Sequence, residues 1–355
     1  MAGYKPSWFY ASALLGNAAS LYIVPPKTVP EHETLKVRSR SGQGGYVCYD
    51  VLRAEKSPEA NESTICESKN KVVFIVPGVN SSIQDHHICA TASQAVKQGY
   101  HCVVVNPVRP DFNSGITDLE LIDYSKVEPI SESIQTIKEL FGADCEIYAI
   151  GFSLGSNHLL RHLGAHKNCK HECGIKAAVS ITGAYDVRSN ALVLRNRLGG
   201  VYDKVMRQEL QNSLNNSHYK VFNNDKTLKE RVNSARCLTE LDSLTRAPVF
   251  GYRGASRLFR NVSCDAYVSQ IETPLLALST KDDSITDFKF VPVEDLSRNP
   301  NVMFATLERG GHCDLFFQQE DTKGRPGDHK ELAPLLALEY FDKAHEYYSA
   351  LKQLK

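Results

Sequence analysis

The sequence predicts an α/β fold in which a mostly parallel central sheet carries helices on both faces. Continuous β-branched and apolar runs alternate with segments of helical period along most of the chain, and such alternation is typical of parallel strands joined by crossover helices. One long stretch, residues 185–268, interrupts the alternation. A glycine-flanked turn directly follows one of the buried strands and marks where chemistry is expected.

The elements follow from the patterning in chain order. Residues 35–40 and 46–52 alternate apolar and polar side chains, the second run less cleanly, and predict an antiparallel pair at a sheet edge. Six continuous apolar runs predict strands buried on both faces: 71–77, 100–106, 145–150, 175–182, 273–280 and 302–307. Residues with helical period predict helices over 85–99, 130–141 and 332–354.

A sharp turn around Ser153 follows the third buried strand. The run 145–150 leads into Gly151-Phe-Ser-Leu-Gly155, and a helical pattern follows over 157–163. Strand, G-x-S-x-G and helix, in this order, present a serine nucleophile at the carboxyl edge of a sheet. The turn strains the serine backbone, and the two glycines lack side chains that would collide with the neighbouring strand and helix. We interpret Ser153 as a nucleophile; the alternative is a tight turn with an inert serine.

The stretch 185–268 reads as a helical cap inserted between two core strands. It lies on the side where the turn opens and contains short helical patterns without a buried strand. The alternative is a separate small domain, but no linker-like composition flanks the stretch. We therefore predict a core in two parts, residues 1–183 with an N-terminal extension and residues 271–355, with a helical cap over 184–270.

Charge and cysteine content narrow the class of protein. The chain has 41 basic and 41 acidic residues, so no electrostatic footprint for nucleic acid or for an anionic membrane is expected at this level. Its ten cysteines are scattered, and no secretory signal pattern begins the sequence, which predicts an intracellular protein, cytoplasmic or organellar. The apolar stretch 8–24 is too short and too polar to predict a spanning helix. We expect it to dock on the domain, with peripheral membrane contact as the alternative.

A serine nucleophile needs a base, and His312 is the candidate. It follows Gly310 and Gly311 directly after the last buried strand, where a short loop can carry an imidazole over the sheet edge. An imidazole with its ordinary pKa near 6.5 would give activity that falls below about that pH.

Three aspartates compete for the role of the acid that orients the imidazole. Asp282 and Asp283 follow the strand 273–280, and Asp186 follows the strand 175–182. We favour Asp283, because the residue two positions on is the apolar Ile285, which can re-enter the core.

The oxyanion hole of such a site is built from backbone N–H groups. The N–H of Leu154, next to the serine, is one expected donor. The loop after the strand 71–77 supplies the second, for which Val79 is the candidate, and Gly78 lets this backbone approach a substrate.

One cluster has the composition of a metal site. His166, Cys169, His171 and Cys173 lie at tight spacing and could hold zinc. The cluster falls in a connector between a helix and a strand, where a solvated loop is the default. We predict no metal and no cofactor.

Several motifs occur in the order found in one branch of the α/β-hydrolases. They are Pro77-Gly-Val, the run Gly151-Phe-Ser-Leu-Gly-Ser-Asn-His-Leu-Leu160, Thr245-Arg-Ala-Pro-Val-Phe-Gly-Tyr252, Pro274-Leu-Leu-Ala-Leu, Asp282-Asp283 and Gly310-Gly-His312. Over residues 4–317 the chain resembles the Emb-like (embryogenesis-associated) branch, which includes bacterial YheT-like esterases. Its eukaryotic members resemble monoacylglycerol, phospholipid and medium-chain ethyl ester hydrolases. Matched by position, the resemblance implies an α/β-hydrolase fold with Ser153, Asp283 and His312 as catalytic triad.

The chain departs from that branch at a few positions. Ser156 stands where many relatives have glycine, and residues 107–111 replace an Arg-Gly that borders the expected site. The His-x4-Asp motif associated with acyl transfer in some relatives is absent from the sequence.

The functional expectation is therefore a serine esterase or lipase that acts on a small-molecule ester or lipid through an acyl-enzyme, with no nucleic-acid partner. Two alternatives stay open. One is a hydrolase-fold subunit that has lost turnover and serves in a structural complex, and the other is an acyltransferase.

Overall fold

A computed structural model describes residues 28–40, 45–54, 70–106, 119–166, 173–216, 219, 221, 225–318 and 329–353. The strands are β1 (Glu33–Arg38), β2 (Tyr46–Leu52), β3 (Lys71–Val76), β4 (His101–Asn106), β5 (Glu146–Phe152), β6 (Ala177–Ile181), β7 (Leu275–Thr280), β8 (Val302–Leu307), β9 (Phe316–Gln318) and β10 (His329–Glu331). The α-helices are α1 (His86–Lys97), α2 (Glu128–Phe141), α3 (Leu154–Ala165), α4 (Val187–Asn196), α5 (Val201–Asn216), α6 (Lys226–Ser234), α7 (Leu238–Leu244), α8 (Arg246–Val249), α9 (Ala255–Val262), α10 (Val293–Arg298) and α11 (Leu332–Gln353). Short 3₁₀ helices span Arg197–Gly200, Asp265–Gln270 and Phe288–Phe290.

An eight-stranded sheet forms the centre of the fold, in the order β1-β2-β4-β3-β5-β6-β7-β8. β2 runs antiparallel to β1 and β4, and every other neighbouring pair is parallel. The predicted α/β class, the mostly parallel sheet and the antiparallel edge pair are confirmed. Because β5 lies between β3 and β6, the loops after these three strands meet at the middle of one sheet edge.

Helices cover both faces of the sheet, as the alternation predicted. On one face the apolar sides of α2 and α3 pack on strand residues such as Val72, Phe74 and Ala149. On the other face α1 and α11 pack on residues such as Ile75 and Tyr148. The sheet is therefore buried on both sides, which explains why its inner strands consist of continuous apolar runs.

One detail of the prediction was wrong, and one pair of strands was not predicted. The run 302–307 was predicted to be buried on both faces, but β8 is the edge of the sheet and the side chain of Met303 is 60% exposed. An edge strand lacks a neighbour on one side, and an apolar run alone does not reveal it. No sequence pattern indicated β9 and β10, which form a short antiparallel pair.

Helices α4 to α9 connect β6 to β7, and the described residues between these two strands form no further strand of the eight-stranded sheet. Their apolar faces form clusters that include core residues, among them Cys48, Leu119 and Leu121 with Leu210 of α5. A second cluster joins α9 to Leu154 at the start of α3. These helices therefore pack directly on the edge of the sheet at which β5 ends. The domain boundaries at 184 and 270 remain a prediction.

Within the described part of the chain, no helix combines the length and the apolar character needed to cross a bilayer. The stretch 8–24, for which docking or membrane contact was expected, lies outside the described residues.

The contact between the start of α3 and the end of β3 is close enough to exclude any side chain at Gly155. A Cβ atom there would lie 2.1 Å from the carbonyl oxygen of Val76 and 2.2 Å from that of Pro77. At Gly151 a Cβ atom would lie 2.6 Å from the Cα atom of Ser156. Both motif glycines are thus required by backbone atoms that cannot move aside.

We predict that Gly155→Ala lowers the free energy of unfolding by about 3 kcal/mol or more, because β3 and α3 would have to separate. Gly254→Ala is the matched control, since a Cβ atom there meets nothing within 4 Å. Gly254 precedes α9 as its N-cap, so the control should cost at most about 1 kcal/mol. Urea unfolding monitored by circular dichroism measures both. Equal costs would contradict the steric argument.

Candidate active site

Ser153 sits at the junction of β5 and α3 with a backbone conformation that few non-glycine residues adopt. Its φ is 51° and its ψ is −121°, and its N–H donates to the carbonyl of Ile181 on β6. Left-handed φ values are unfavourable for L-residues. The neighbouring strand and the glycine contacts hold the serine in this turn, as the G-x-S-x-G pattern predicted.

The structure brings three of the predicted residues into one hydrogen-bonded chain. His312 Nε2 lies 2.9 Å from Ser153 Oγ, and its Nδ1 lies 2.7 Å from Asp283 Oδ2. A carboxylate only accepts, so Nδ1 carries a proton and donates it to Asp283. In the neutral imidazole, Nε2 is then the acceptor for the serine hydroxyl. The three residues come from loops after β5, β7 and β8, far apart in sequence.

Asp283 is held in place by its own loop. Its Oδ1 accepts from the N–H groups of Ile285 and Thr286 at 2.8 and 2.9 Å, and its Oδ2 also accepts from the Thr286 hydroxyl at 2.6 Å. The side chain is buried, at 1% exposure. Hydrogen bonds to the ionised form stabilise the charge of a buried carboxylate. They also fix the oxygen that faces His312.

The two other aspartates make different contacts. Asp282 Oδ1 accepts from the N–H groups of Gly310 and Gly311, both at 3.0 Å, and so holds the loop that carries His312. Asp186 caps α4, where its Oδ1 accepts from the N–H of Ser189. The structure thus pairs His312 with Asp283, the aspartate favoured from the sequence.

Burial and charge act in opposite directions on His312. Burial by itself lowers the pKa of the imidazole, but the charge of Asp283, the neighbouring Cys313 and the hydrogen bond to Asp283 together outweigh burial and raise the pKa of His312 well above 6.5. The sequence-based expectation of a pKa near the ordinary value therefore needs correction, because it left out the carboxylate at 2.7 Å.

The predicted oxyanion donors lie beside the serine. Val79, Ser153 and Leu154 line the same cavity. Gly78 brings the loop after β3 close, since a Cβ atom at this position would lie 3.2 Å from the Cβ of Ser153. The arrangement is compatible with two N–H groups that converge on the serine; their role stays a prediction.

A second His–Asp pair supports the site from behind, and the sequence analysis missed it. His87 Nδ1 on α1 lies 3.2 Å from Asp314 Oδ1, two residues after His312, and the His87 ring packs on Phe152 at a centroid distance of 4.9 Å. Burial lowers the pKa of His87, but Asp314 reverses this effect and raises it to about 10. His87 therefore connects the residue before the nucleophile to the loop of the base. No local pattern could reveal partners 227 residues apart.

Two further contacts position the loop that carries His312. The Thr280 hydroxyl donates to the carbonyl of Gly311 at 2.6 Å, and Cys313 Sγ lies 3.3 Å from the hydroxyl of Thr182. Both Thr182 and Cys313 have positive φ, of 45° and 65°. Ser153 also has a positive φ, so the residues with strained backbone are concentrated near the strand ends that form the site.

A mostly apolar cavity of about 140 Å³ opens at Ser153. The helices inserted between β6 and β7 supply much of its wall. The lining residues are Val79, Asn80, Tyr124, Ser153, Leu154, Ala184, Val187, Asn190, Ala191, Leu194, Met206, Glu209, Leu210, Leu238, Asp242, Arg246, Phe250, Leu258, Phe259, Val262, Ile285 and Thr286. The polar serine therefore faces an apolar chamber suited to a hydrocarbon group.

The substitution at Ser156 fits without disturbing the turn. Its hydroxyl lies 2.5 Å from that of Ser180 on β6, and a side chain at the neighbouring Gly183 would collide with it. The hydroxyl of Ser156 thus fills space left by Gly183 and points away from the cavity lining.

Two sequence features cannot be placed. Residues 107–111 lie outside the described part of the chain, as do Cys169 and His171 of the cluster considered for zinc. Among the described residues, no group of three or more His, Cys, Asp or Glu side chains has the arrangement of a metal site.

Comparison with known proteins agrees with the fold. No protein-family model matches the chain. Embryogenesis-associated protein EMB8 of Picea glauca is 27% identical over 246 residues, which cover 68% of this chain and 52% of EMB8. Monoacylglycerol lipase ABHD2 of Danio rerio is 24% identical over 253 residues, covering 69% and 59%. The solved structure of Est1E from Butyrivibrio proteoclasticus with ferulic acid bound matches with a TM-score of 0.52 at 13% identity, covering 88% and 99%.

The chain has the α/β-hydrolase fold. Its sequence relatives include EMB8 and a monoacylglycerol lipase, which confirms the resemblance drawn from the motifs. The chain spans between half and three fifths of the lengths of these two relatives.

We predict that the imidazole of His312 titrates above pH 6.5 and that Asp283→Asn lowers its pKa by about one pH unit or more, because the amide removes the charge that stabilises the imidazolium. Asp282→Asn is the matched control, since its amide oxygen can still accept from Gly310 and Gly311. NMR of ¹⁵N-labelled histidine side chains measures the three titrations. An equal pKa in wild type and Asp283→Asn would contradict the assigned cause.

Proposed function

We propose that the chain is a serine hydrolase that cleaves carboxylic esters through an acyl-enzyme on Ser153. The observation that carries the proposal is the continuous hydrogen-bonded chain from Ser153 Oγ through His312 to Asp283. A serine becomes a useful nucleophile when a positioned base takes its proton, and a third group must hold that base in the correct tautomer. The position of the serine in the wall of an apolar cavity supports the same conclusion.

In the acylation half, Ser153 Oγ attacks the ester carbonyl carbon while its proton passes to His312 Nε2. The imidazolium that forms is stabilised by Asp283. The carbonyl oxygen becomes an oxyanion, for which the N–H groups of Val79 and Leu154 are the proposed donors. The tetrahedral intermediate then collapses, and the bond between the former carbonyl carbon and the alcohol oxygen breaks. The alcohol leaves with the proton from His312 Nε2.

In the deacylation half, water takes the place of the alcohol. His312 Nε2 removes a proton from the water as its oxygen adds to the acyl carbon. The second tetrahedral intermediate expels Ser153 Oγ, which takes back the proton, and the carboxylic acid is released. Since Nε2 must be unprotonated at the start of each half, the raised pKa of His312 places the rising limb of activity above pH 6.5.

We further propose a lipid or acylglycerol ester as substrate, with its acyl chain in the cavity. The walls supplied by α4, α5, α7 and α9 are largely apolar, and only a few polar side chains interrupt them. The names of the sequence relatives, which include a monoacylglycerol lipase, support this class. On this proposal the segment 184–270 is a cap that sets which acyl chains fit.

We predict that a fluorophosphonate probe labels the protein at Ser153, because the phosphorus centre reacts with a serine activated as above. Ser153→Ala should abolish labelling, and His312→Ala should reduce it to background. Ser156→Ala is the matched control and should label like wild type, since its hydroxyl bonds to Ser180. Labelling is read by gel fluorescence and peptide mass spectrometry.

Turnover of a soluble aryl ester provides the second readout. Asp283→Asn should lose about 10⁴ in kcat, whereas Asp282→Asn and Asp186→Asn, which keep an acceptor oxygen, should lose far less. Labelling that persists in Ser153→Ala would contradict the nucleophile. An absence of labelling in folded wild type would favour a structural subunit over an enzyme.

We predict that Ala191→Phe shifts substrate choice toward short acyl chains. Ala191 lines the cavity on α4, so a phenyl ring there occupies space that a long chain needs. The ratio of kcat/KM for the decanoyl to the acetyl p-nitrophenyl ester should fall at least about tenfold, which corresponds to about 1.4 kcal/mol.

Leu192→Phe is the matched control, because Leu192 is the next residue on the same helix and is 60% exposed. It should leave the ratio unchanged. A parallel loss of activity on both esters in Ala191→Phe would contradict the placement of the acyl chain.

A further inference from the structure

The helices that line the cavity present a second, outward surface. Of the six large apolar side chains that stand out as exposed in the described chain, three lie within ten residues of each other: Leu192, Leu198 and Val201, at 60%, 55% and 53% exposure. Single exposed apolar residues are common, but a local group of this kind marks an interaction site. We define the outer surface as Arg188, Leu192, Arg195, Leu198, Val201 and Lys204.

One side of α4 lines the cavity, and another side is exposed to solvent. Val187, Asn190, Ala191 and Leu194 line the cavity, with the spacing of one helix face. Arg188, Leu192 and Arg195 recur at the same spacing on a neighbouring side of the helix, about 120° around its axis, and are exposed. The outer surface therefore includes residues of a helix whose other residues line the same cavity as Ser153.

Leu198 is unusual in its backbone as well as in its exposure. It has φ 50° and ψ 42° in the turn between α4 and α5, a conformation that L-residues avoid. A leucine that is held in this conformation and faces water contributes little to the folded chain. Its position is understandable if the side chain inserts into a partner outside the chain.

Basic residues outnumber acidic residues around this apolar group. Residues 187–207 contain five basic residues and one acidic residue, Asp203, although the whole chain is neutral. Asp203 is buried and accepts from the N–H of Leu238. The nearby Glu240 is bonded to Arg236. Arg188, Arg195 and Lys204 thus leave the exposed surface positive.

We propose that the outer surface docks on an anionic phospholipid surface, with Leu192, Leu198 and Val201 inserted at the headgroup boundary and the basic residues among the headgroups. Apolar residues flanked by lysine and arginine are the chemistry of interfacial binding, because burial and charge attraction add. The residues of this surface belong to a different part of the sequence from the stretch 8–24.

Sedimentation with vesicles tests the proposal. The protein carries Ser153→Ala, so that vesicles stay intact and docking is measured apart from turnover. It should bind vesicles of equal parts phosphatidylserine and phosphatidylcholine, bind vesicles of phosphatidylcholine alone more weakly, and lose affinity as salt rises. Leu192→Asp should lower the partition coefficient at least about tenfold. Arg188→Gln with Arg195→Gln should lower it about fivefold for each charge removed.

Matched controls lie elsewhere on the chain. Met303→Asp changes an equally exposed apolar residue on β8, and Lys97→Gln removes an exposed charge at the end of α1. Both should bind like the parent, and circular dichroism confirms folding. Failure of the parent to bind anionic vesicles, or equal weakening in the controls, overturns the proposal. A dimer in sedimentation velocity that Leu192→Asp dissociates would overturn it in favour of a second copy of the chain.

Discussion

The backbone contact between the first turn of α3 and the end of β3 is the constraint on which the site depends. Gly155, in the first turn of α3, lies very close to the carbonyls of Val76 and Pro77 at the end of β3. Helix α3 must therefore begin directly after β5, without an intervening loop. The chain can make this junction only by turning sharply at Ser153, which takes up the left-handed conformation. The same closeness brings Gly78 and its loop to the serine. Nucleophile, neighbouring N–H groups and cavity mouth are thus consequences of one steric contact.

The base is held by a different kind of interaction, a set of hydrogen bonds made by consecutive aspartates. Asp283 accepts a hydrogen bond from the imidazole of His312. Asp282 accepts hydrogen bonds from the backbone N–H groups of Gly310 and Gly311, the two residues before His312. The glycine loop has little structure of its own, so side-chain hydrogen bonds supply the rigidity that positioning requires. His87 then connects this loop to the residue before the nucleophile through Asp314 and Phe152.

Much of this arrangement could be predicted because it depends on residues that are close together in the sequence. Continuous apolar runs gave the inner strands, and the G-x-S-x-G turn located Ser153 on its expected junction. The choice of Asp283 agrees with its hydrogen bond to His312. The reason given for that choice does not hold, because Ile285 lines the cavity and is only half-buried. What could not be predicted depends on the tertiary partner: the edge position of β8, the clamp from Asp282 to Gly310, and the His87–Asp314 pair. The pKa of His312 belongs to the same group, because a charge placed by folding raises it.

The positive φ values around the site have a consequence for the history of the molecule. Thr182 is β-branched, Cys313 follows the base and Ser153 is the nucleophile, and each holds a backbone conformation that costs on the order of 1 kcal/mol. Together they consume a sizeable part of the 5–15 kcal/mol by which a typical domain is stable. A lineage that no longer needed this geometry could relax all three turns and gain thermal resistance. Selection for activity would therefore retain the strained backbone, and a lineage that had lost activity would be expected to lose it.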